Sequence, residues 1–183
     1  MRLAEAFLPL AVEKTAARLA DLSEKHAATG RPLGARKWLA FRDYFLPELA
    51  CGVRIEEVLE IPEPPFYDAL KSQLALLGID TQLDFLNTVG LTARNAILVR
   101  SGQLTRTLLF HEMVHVEQYR QLGMEPFARA YLGGLPESAF VYERVPLDVQ
   151  AFALARRFDS GERFEVWEEV RMLVARKAYS RQA

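Results

Sequence analysis

The chain has 183 residues, of which half are hydrophobic and 26% are charged. This is the size and balance of one globular domain with an ordinary core, which excludes a disordered chain, a coiled coil and a collagen-like repeat. The 23 basic and 24 acidic side chains leave a formal net charge of −1. Charge therefore provides no general attraction to nucleic acid or to an anionic membrane, and we expect neither as a partner.

The single cysteine and the N-terminal residues indicate the cellular compartment of the protein. Cys51 is the single cysteine, so an internal disulfide is impossible and nothing requires an oxidising compartment. We expect its thiol to be buried and inert. Glu5, Pro9 and Glu13 interrupt the apolar N-terminal residues, so we expect neither a signal peptide nor a membrane span of about 20 apolar residues. The sequence predicts a cytoplasmic protein.

The first half of the chain alternates predicted helices with short strands. Apolar residues at helical spacing predict helices over 9–26, 35–50 and 65–77. Pro9 suits the first turn of the first helix, and Pro47 is expected to end or kink the second. Short apolar or alternating runs predict strands over 53–55, 86–89 and 96–99.

The second half is predicted to be helical. A strong helix is expected over 103–122, with Ser101 as its N-cap and Gly123 past its end. Further helices are predicted over 126–132, 147–158 and 164–179. The fold class is therefore α+β, mostly helical, with about three short strands early in the chain. We expect one domain, 1–183, made of an N-terminal helical extension (1–50), a core (51–158) and a C-terminal helix (159–183).

The most informative segment is His-Glu-Met-Val-His at positions 111–115. Positions i and i+4 of a helix lie on one face, so His111 and His115 can present ring nitrogens to one zinc ion. Glu112 would then reach the water on the metal and take its proton as that water attacks a carbonyl. The alternative is a partly exposed helix face without metal. The surrounding apolar residues, and the fact that two of only three histidines lie here, favour the zinc site.

A catalytic zinc site needs a third protein ligand from elsewhere in the chain. His26, the remaining histidine, is predicted to be a solvated helix end, and no histidine follows His115 by six residues. A downstream carboxylate is therefore expected, and the candidates are Glu137, Glu143 and Asp148. Asp148 is favoured because it opens a predicted helix and can point back at the metal helix. Glu143 has the longer reach, and either acid can instead be a cap or a surface group.

The residues 111–123, together with Phe127, Tyr131 and the Val-Pro-Leu-Asp element at 145–148, resemble a known family. This pattern is similar to the small bacterial zincin-like domains known as DUF4157, which are gluzincin-type metallopeptidases. The resemblance covers roughly 53–158 and implies a zincin-like, minimal gluzincin fold with a small sheet packed on the metal helix. It also implies that position 148 supplies the third ligand, although these domains usually carry Glu where this chain has the shorter Asp148.

The function expected on this basis is that of a zinc-dependent hydrolase, a metallopeptidase acting on a peptide or protein substrate. In zincins the strand before the metal helix forms the cleft edge, and 96–99 is expected to do so here. The competing interpretation is an ordinary core strand, and the two are compatible. Tyr131 and Tyr142 are candidate oxyanion donors, with packing as the commoner alternative. The other hypothesis is a catalytically silent zincin-fold module that binds metal or a partner in a larger bacterial system.

Overall fold

The protein has a mixed α+β fold. A computed structural model describes residues 2–63, 75, 88–135, 138 and 141–180. Its elements, in chain order, are α1 (Arg2–Thr29), β1 (Arg31–Pro32), α2 (Ala35–Phe41), α3 (Pro47–Gly52), β2 (Arg54–Val58), β3 (Gly90–Ala93), β4 (Ala96–Arg100), α4 (Arg106–Leu122), α5 (Met124–Gly134), a 3-10 helix (Tyr142–Arg144), α6 (Pro146–Asp159) and α7 (Val166–Ser180). Of the helix predicted over 65–77, only Ala75 is described, and it is helical.

Prolines mark two differences from the predicted helices. Helix α1 begins at Arg2 and contains Pro9, because one proline removes a single hydrogen bond without having to end a helix. The helix predicted over 35–50 is two helices, α2 and α3, separated by a turn. Pro47 opens α3 at its first turn, where a missing backbone N–H costs nothing, so it starts a helix instead of ending one.

The strands form one four-stranded sheet in the order β1-β2-β4-β3. Strand β4 pairs in parallel with β2 and antiparallel with β3. It is interior, so the prediction that 96–99 forms the cleft edge is wrong, and its alternative as a core strand is confirmed. Ile97 and Val99 join the core shared with α4, while Leu98 joins a second core with α1 and α5. A strand that is buried on both faces is a continuous apolar run in the sequence, and such a run does not indicate which strands pair with it.

Helix α4 runs through the centre of the structure. Its N-cap is Thr105, whose hydroxyl accepts a hydrogen bond from the backbone N–H of Leu108 at 3.1 Å, so the predicted cap at Ser101 is wrong. Every residue from Leu109 to Tyr119 is buried. The Phe110 ring stacks on Phe158 of α6 with centroids 4.2 Å apart. Around this pair, edge contacts complete an aromatic cluster of Phe41, Tyr44, Phe45 and Phe164.

The chain turns back sharply after α4. Gly123 has a φ of 81° and donates its backbone N–H to the Tyr119 carbonyl at 2.8 Å, a conformation that favours glycine. Helix α5 then packs against α1, while α6 and α7 pack against α4. Pro146 occupies the first turn of α6, which places Asp148 at the end of that helix nearest the middle of α4. None of the described helices combines the length and apolar character needed to cross a bilayer.

Candidate metal centre

The two histidines of α4 lie side by side on one face of the helix. Their Nε2 atoms are 3.1 Å apart, and their ring centroids are separated by 4.7 Å. Each residue is only 7% exposed. The His111 ring is packed on one side by Phe152 of α6, with centroids 4.4 Å apart. The helical spacing therefore brings both ring nitrogens to one buried point.

Asp148 of α6 reaches the same point from across the interface. Its Oδ1 lies 3.8 Å from Nε2 of His111 and 3.5 Å from Nε2 of His115, and the residue is 4% exposed. Among the competing acids, Glu143 is exposed on the 3-10 helix and stands apart from this cluster, while Glu137 lies outside the described residues. Within the described part of the chain, His111, His115 and Asp148 are the group that could hold a metal ion.

The spacing and the donor set fit zinc. Tetrahedral zinc with bonds of about 2.0–2.1 Å places its ligand atoms about 3.3 Å apart. The three measured separations, 3.1, 3.5 and 3.8 Å, lie around that value. The second carboxylate oxygen of Asp148, Oδ2, is buried without a hydrogen-bond partner among the described residues. An acceptor left in that state is costly, and a cation beside it would satisfy it.

Electrostatics couple the three groups. Burial lowers the pKa of His111 to about 2, with the neighbouring charge of His115 acting in the same direction. For His115, burial acts to lower the pKa, but Asp148 and Glu112 act more strongly in the opposite direction. The hydrogen bond and charge of Asp148 and the charge of Glu112 raise the pKa of His115 to about 9. His111 therefore stays neutral near pH 7, whereas the surroundings of His115 favour a positive charge beside Asp148, either a proton or a metal ion.

Glu112 lies on the neighbouring face of α4, against the edge strand β3. The Thr92 hydroxyl donates to Oε2 of Glu112 at 2.7 Å. An added Cβ at Gly90 would lie 3.0 Å from Cδ of Glu112 and would overlap its Oε1, so only glycine leaves room for the carboxylate. Burial raises the pKa of Glu112, opposed by the charge of His115 and the Thr92 hydrogen bond. A carboxylate with a raised pKa is better matched to taking up a proton near neutrality.

Gln118 is a residue of this centre that the sequence reasoning missed. Its side chain is fully buried, and Oε1 lies 2.8 Å from Nδ1 of His115. Its amide nitrogen donates to the Leu147 carbonyl at 3.0 Å and to Oε1 of Gln150 at 3.1 Å. The available signal was a glutamine three residues after His115, on the same helix face.

The expectations for His26 and Cys51 are wrong, and of the two candidate tyrosines only Tyr131 has a described side chain. His26 is not solvated: it is buried, and its Nδ1 lies 2.9 Å from a carboxylate oxygen of Glu56 on β2. Cys51 is exposed instead of buried. Tyr131 places its ring parallel to that of Phe127, with centroids 6.1 Å apart, which is a packing contact, whereas the side chain of Tyr142 lies outside the described residues.

Comparison with known proteins adds no assignment. No family model, no curated protein and no solved structure matches this chain. The likeness to DUF4157 domains thus stays a prediction from the residues at 111–148. What supports a function is the geometry of the centre itself.

Proposed function

We propose that this protein is a zinc-dependent hydrolase, a metallopeptidase with a zincin-like fold. One observation carries the proposal: Asp148 brings a carboxylate oxygen to within 3.8 Å of both histidine Nε2 atoms, beside Glu112. In this proposal His111, His115 and Asp148 hold zinc. A site with three protein ligands leaves a fourth position for water, which is typical of catalytic zinc, whereas structural sites are closed by four.

The residues divide the chemistry between them. Bound zinc supplies a Lewis acid that polarises a carbonyl and lowers the pKa of water to about 7. Glu112 takes the proton of the attacking water and delivers it to the leaving amine. The Thr92 hydroxyl holds one carboxylate oxygen of Glu112, which fixes the orientation of this base. The burial of the whole group excludes bulk water and strengthens these electrostatic interactions.

Strand β3 supports a peptide as the substrate class. It pairs with β4 on one side, and among the described strands none pairs with its other side. Gly90 and Thr92 of this strand lie next to Glu112. An extended peptide that added itself to this edge would run past the proposed base, with its backbone held by strand hydrogen bonds.

The substitution Glu112→Gln tests the proposal. We expect zinc content near one per chain to persist while hydrolysis of a peptide library is lost, because the amide cannot accept the proton. Glu117→Gln is the matched control: it changes another buried glutamate of α4, one that pairs with Arg120, and should leave both properties intact. A wild-type protein that binds zinc without hydrolysing any peptide would support the silent metal-binding module instead. A wild-type protein that takes up no zinc would overturn both the metallopeptidase and the metal-binding module.

A further inference from the structure

Gln118 touches both halves of the proposed metal centre. It projects from the middle of α4, is 0% exposed, and contacts His115 on its own helix and the first turn of α6. Its partner there is the backbone carbonyl of Leu147, the residue directly before Asp148. One side chain therefore links a histidine donor to the backbone that carries the carboxylate donor.

The direction of these hydrogen bonds follows from their partners. A backbone carbonyl can only accept, so the group of Gln118 that faces Leu147 must be its NH₂. The opposite arrangement would place two acceptors 3.0 Å apart in a buried site, which is strongly unfavourable. The amide oxygen of Gln118 is thereby directed at Nδ1 of His115, and Nδ1 must carry a proton to donate to it.

A second glutamine, Gln150 of α6, reinforces this direction. Gln150 donates its NH₂ to the carbonyl of Glu169 on α7 at 2.8 Å. Its amide oxygen is left to accept the remaining N–H of Gln118 at 3.1 Å. The backbone carbonyls of Leu147 and Glu169 can only accept, so they fix which end of each glutamine amide is the donor. Every hydrogen bond from Gln150 to the His115 ring therefore has a defined direction.

We propose that Gln118 is a positioning residue of the metal centre, which keeps the proton of His115 on Nδ1 and directs the Nε2 lone pair at the ion. This inference rests on the proposed zinc site and adds to it how one ligand is oriented. A metal-bound histidine commonly donates its other ring N–H to a fixed acceptor, which sets the ring orientation and raises the basicity of the ligand. By contrast, Nδ1 of His111 has no partner among the described residues, so Gln118 acts on one ligand only.

The substitution Gln118→Met tests the inference because it keeps the volume and removes the amide. Gln121→Met is the matched control on the same helix. Like Gln118, Gln121 donates a hydrogen bond to a backbone carbonyl of another helix, in this case that of Trp167 on α7 at 2.8 Å. Its other side-chain partner is Glu117 and not a histidine. If the methionine variant does not fold, Gln118→Asn replaces it, since the shorter amide cannot span both of its partners.

The first measurement is zinc affinity by competition with a chromophoric chelator. We expect Gln118→Met to bind Zn²⁺ about 10- to 100-fold more weakly and Gln121→Met to stay within about twofold of wild type. Wild-type affinity in Gln118→Met would overturn the inference. An equal loss in Gln121→Met would also overturn it, because the effect would then come from helix docking.

The second measurement is the ring Nδ1–H signal of His115 in ¹H–¹⁵N spectra of the zinc-free protein at a pH above 9, where the ring is neutral and carries one proton. We expect a slowly exchanging proton in wild type and Gln121→Met that is lost in Gln118→Met. This measurement distinguishes failure of the proposed function from failure of this inference. If the wild-type protein bound no zinc, the hydrolase proposal would be overturned, and the ring signal would still show whether Gln118 orients His115. Persistence of the signal in Gln118→Met would overturn the positioning effect.

Discussion

Replacing Asp148 by alanine removes one of the three donors that converge at the proposed metal centre. Four-ligand zinc sites bind with about 10–16 kcal/mol, so one ligand contributes about 2.5–4 kcal/mol. Its loss should weaken zinc affinity by roughly a hundred- to a thousandfold. The two imidazoles that remain lie 3.1 Å apart and can retain only weak binding.

Thermal unfolding with and without zinc measures this loss. At a zinc concentration 100 times the wild-type Kd, binding stabilises the fold by about 2.7 kcal/mol. For a chain of this length that raises Tm by about 5–11 °C. In Asp148→Ala the same zinc concentration should raise Tm by about 1 °C or less.

The control is Glu143→Ala, which removes the same charge from an exposed position five residues earlier. It should keep the full zinc-induced rise in Tm. A wild-type rise in Asp148→Ala, or its disappearance in Glu143→Ala, would refute the reasoning that assigns the third ligand to α6.

Three further substitutions test the surroundings of the site. Gly90→Ala should reduce hydrolysis at least tenfold with zinc content unchanged, because the new methyl group displaces the Glu112 carboxylate; full activity in this variant would contradict the contact. Phe110→Ala removes the centre of the aromatic cluster and should destabilise the fold by about 3–5 kcal/mol, measured by urea denaturation; a loss under 1 kcal/mol would show that the cluster is not a packed core. Thr105→Ala should cost about 1 kcal/mol as a lost N-cap, and Ser101→Ala, its comparison in the same denaturation assay, should change stability much less.

Local patterns predicted the helices well where apolar periodicity was strong. The structure has α4 ending at Leu122 with Gly123 past its end, and α6 covering the predicted 147–158. The ends were predicted less well. Thr105 and not Ser101 caps α4, because Ser101 and Gly102 form a turn directly after β4 and the helix begins only at Arg106.

Burial of polar residues was harder to predict than secondary structure. His26 was expected in solvent, yet it docks α1 on β2 through Glu56. Cys51 was expected in the core, yet it lies on the exposed side of a short helix. A single residue carries no periodic signal of its own, and which side of its helix is covered depends on elements distant in the chain.

The sequence by itself determined the α+β class and the pair of histidines one helical turn apart, because both follow from periodicities within one helix or strand. It gave three acids as candidates for the third donor and favoured Asp148, but it could not show which acid lies beside the histidines, since that depends on how α6 packs on α4. Tertiary structure decided that Asp148 and not Glu143 lies beside the histidines, that β3 is the edge strand against Glu112, and that Gln118 connects His115 to Leu147. Each of these outcomes depends on a contact across the fold, such as that of Gln118 with Leu147 at 29 positions' separation, and no pattern along the chain encodes such a distance.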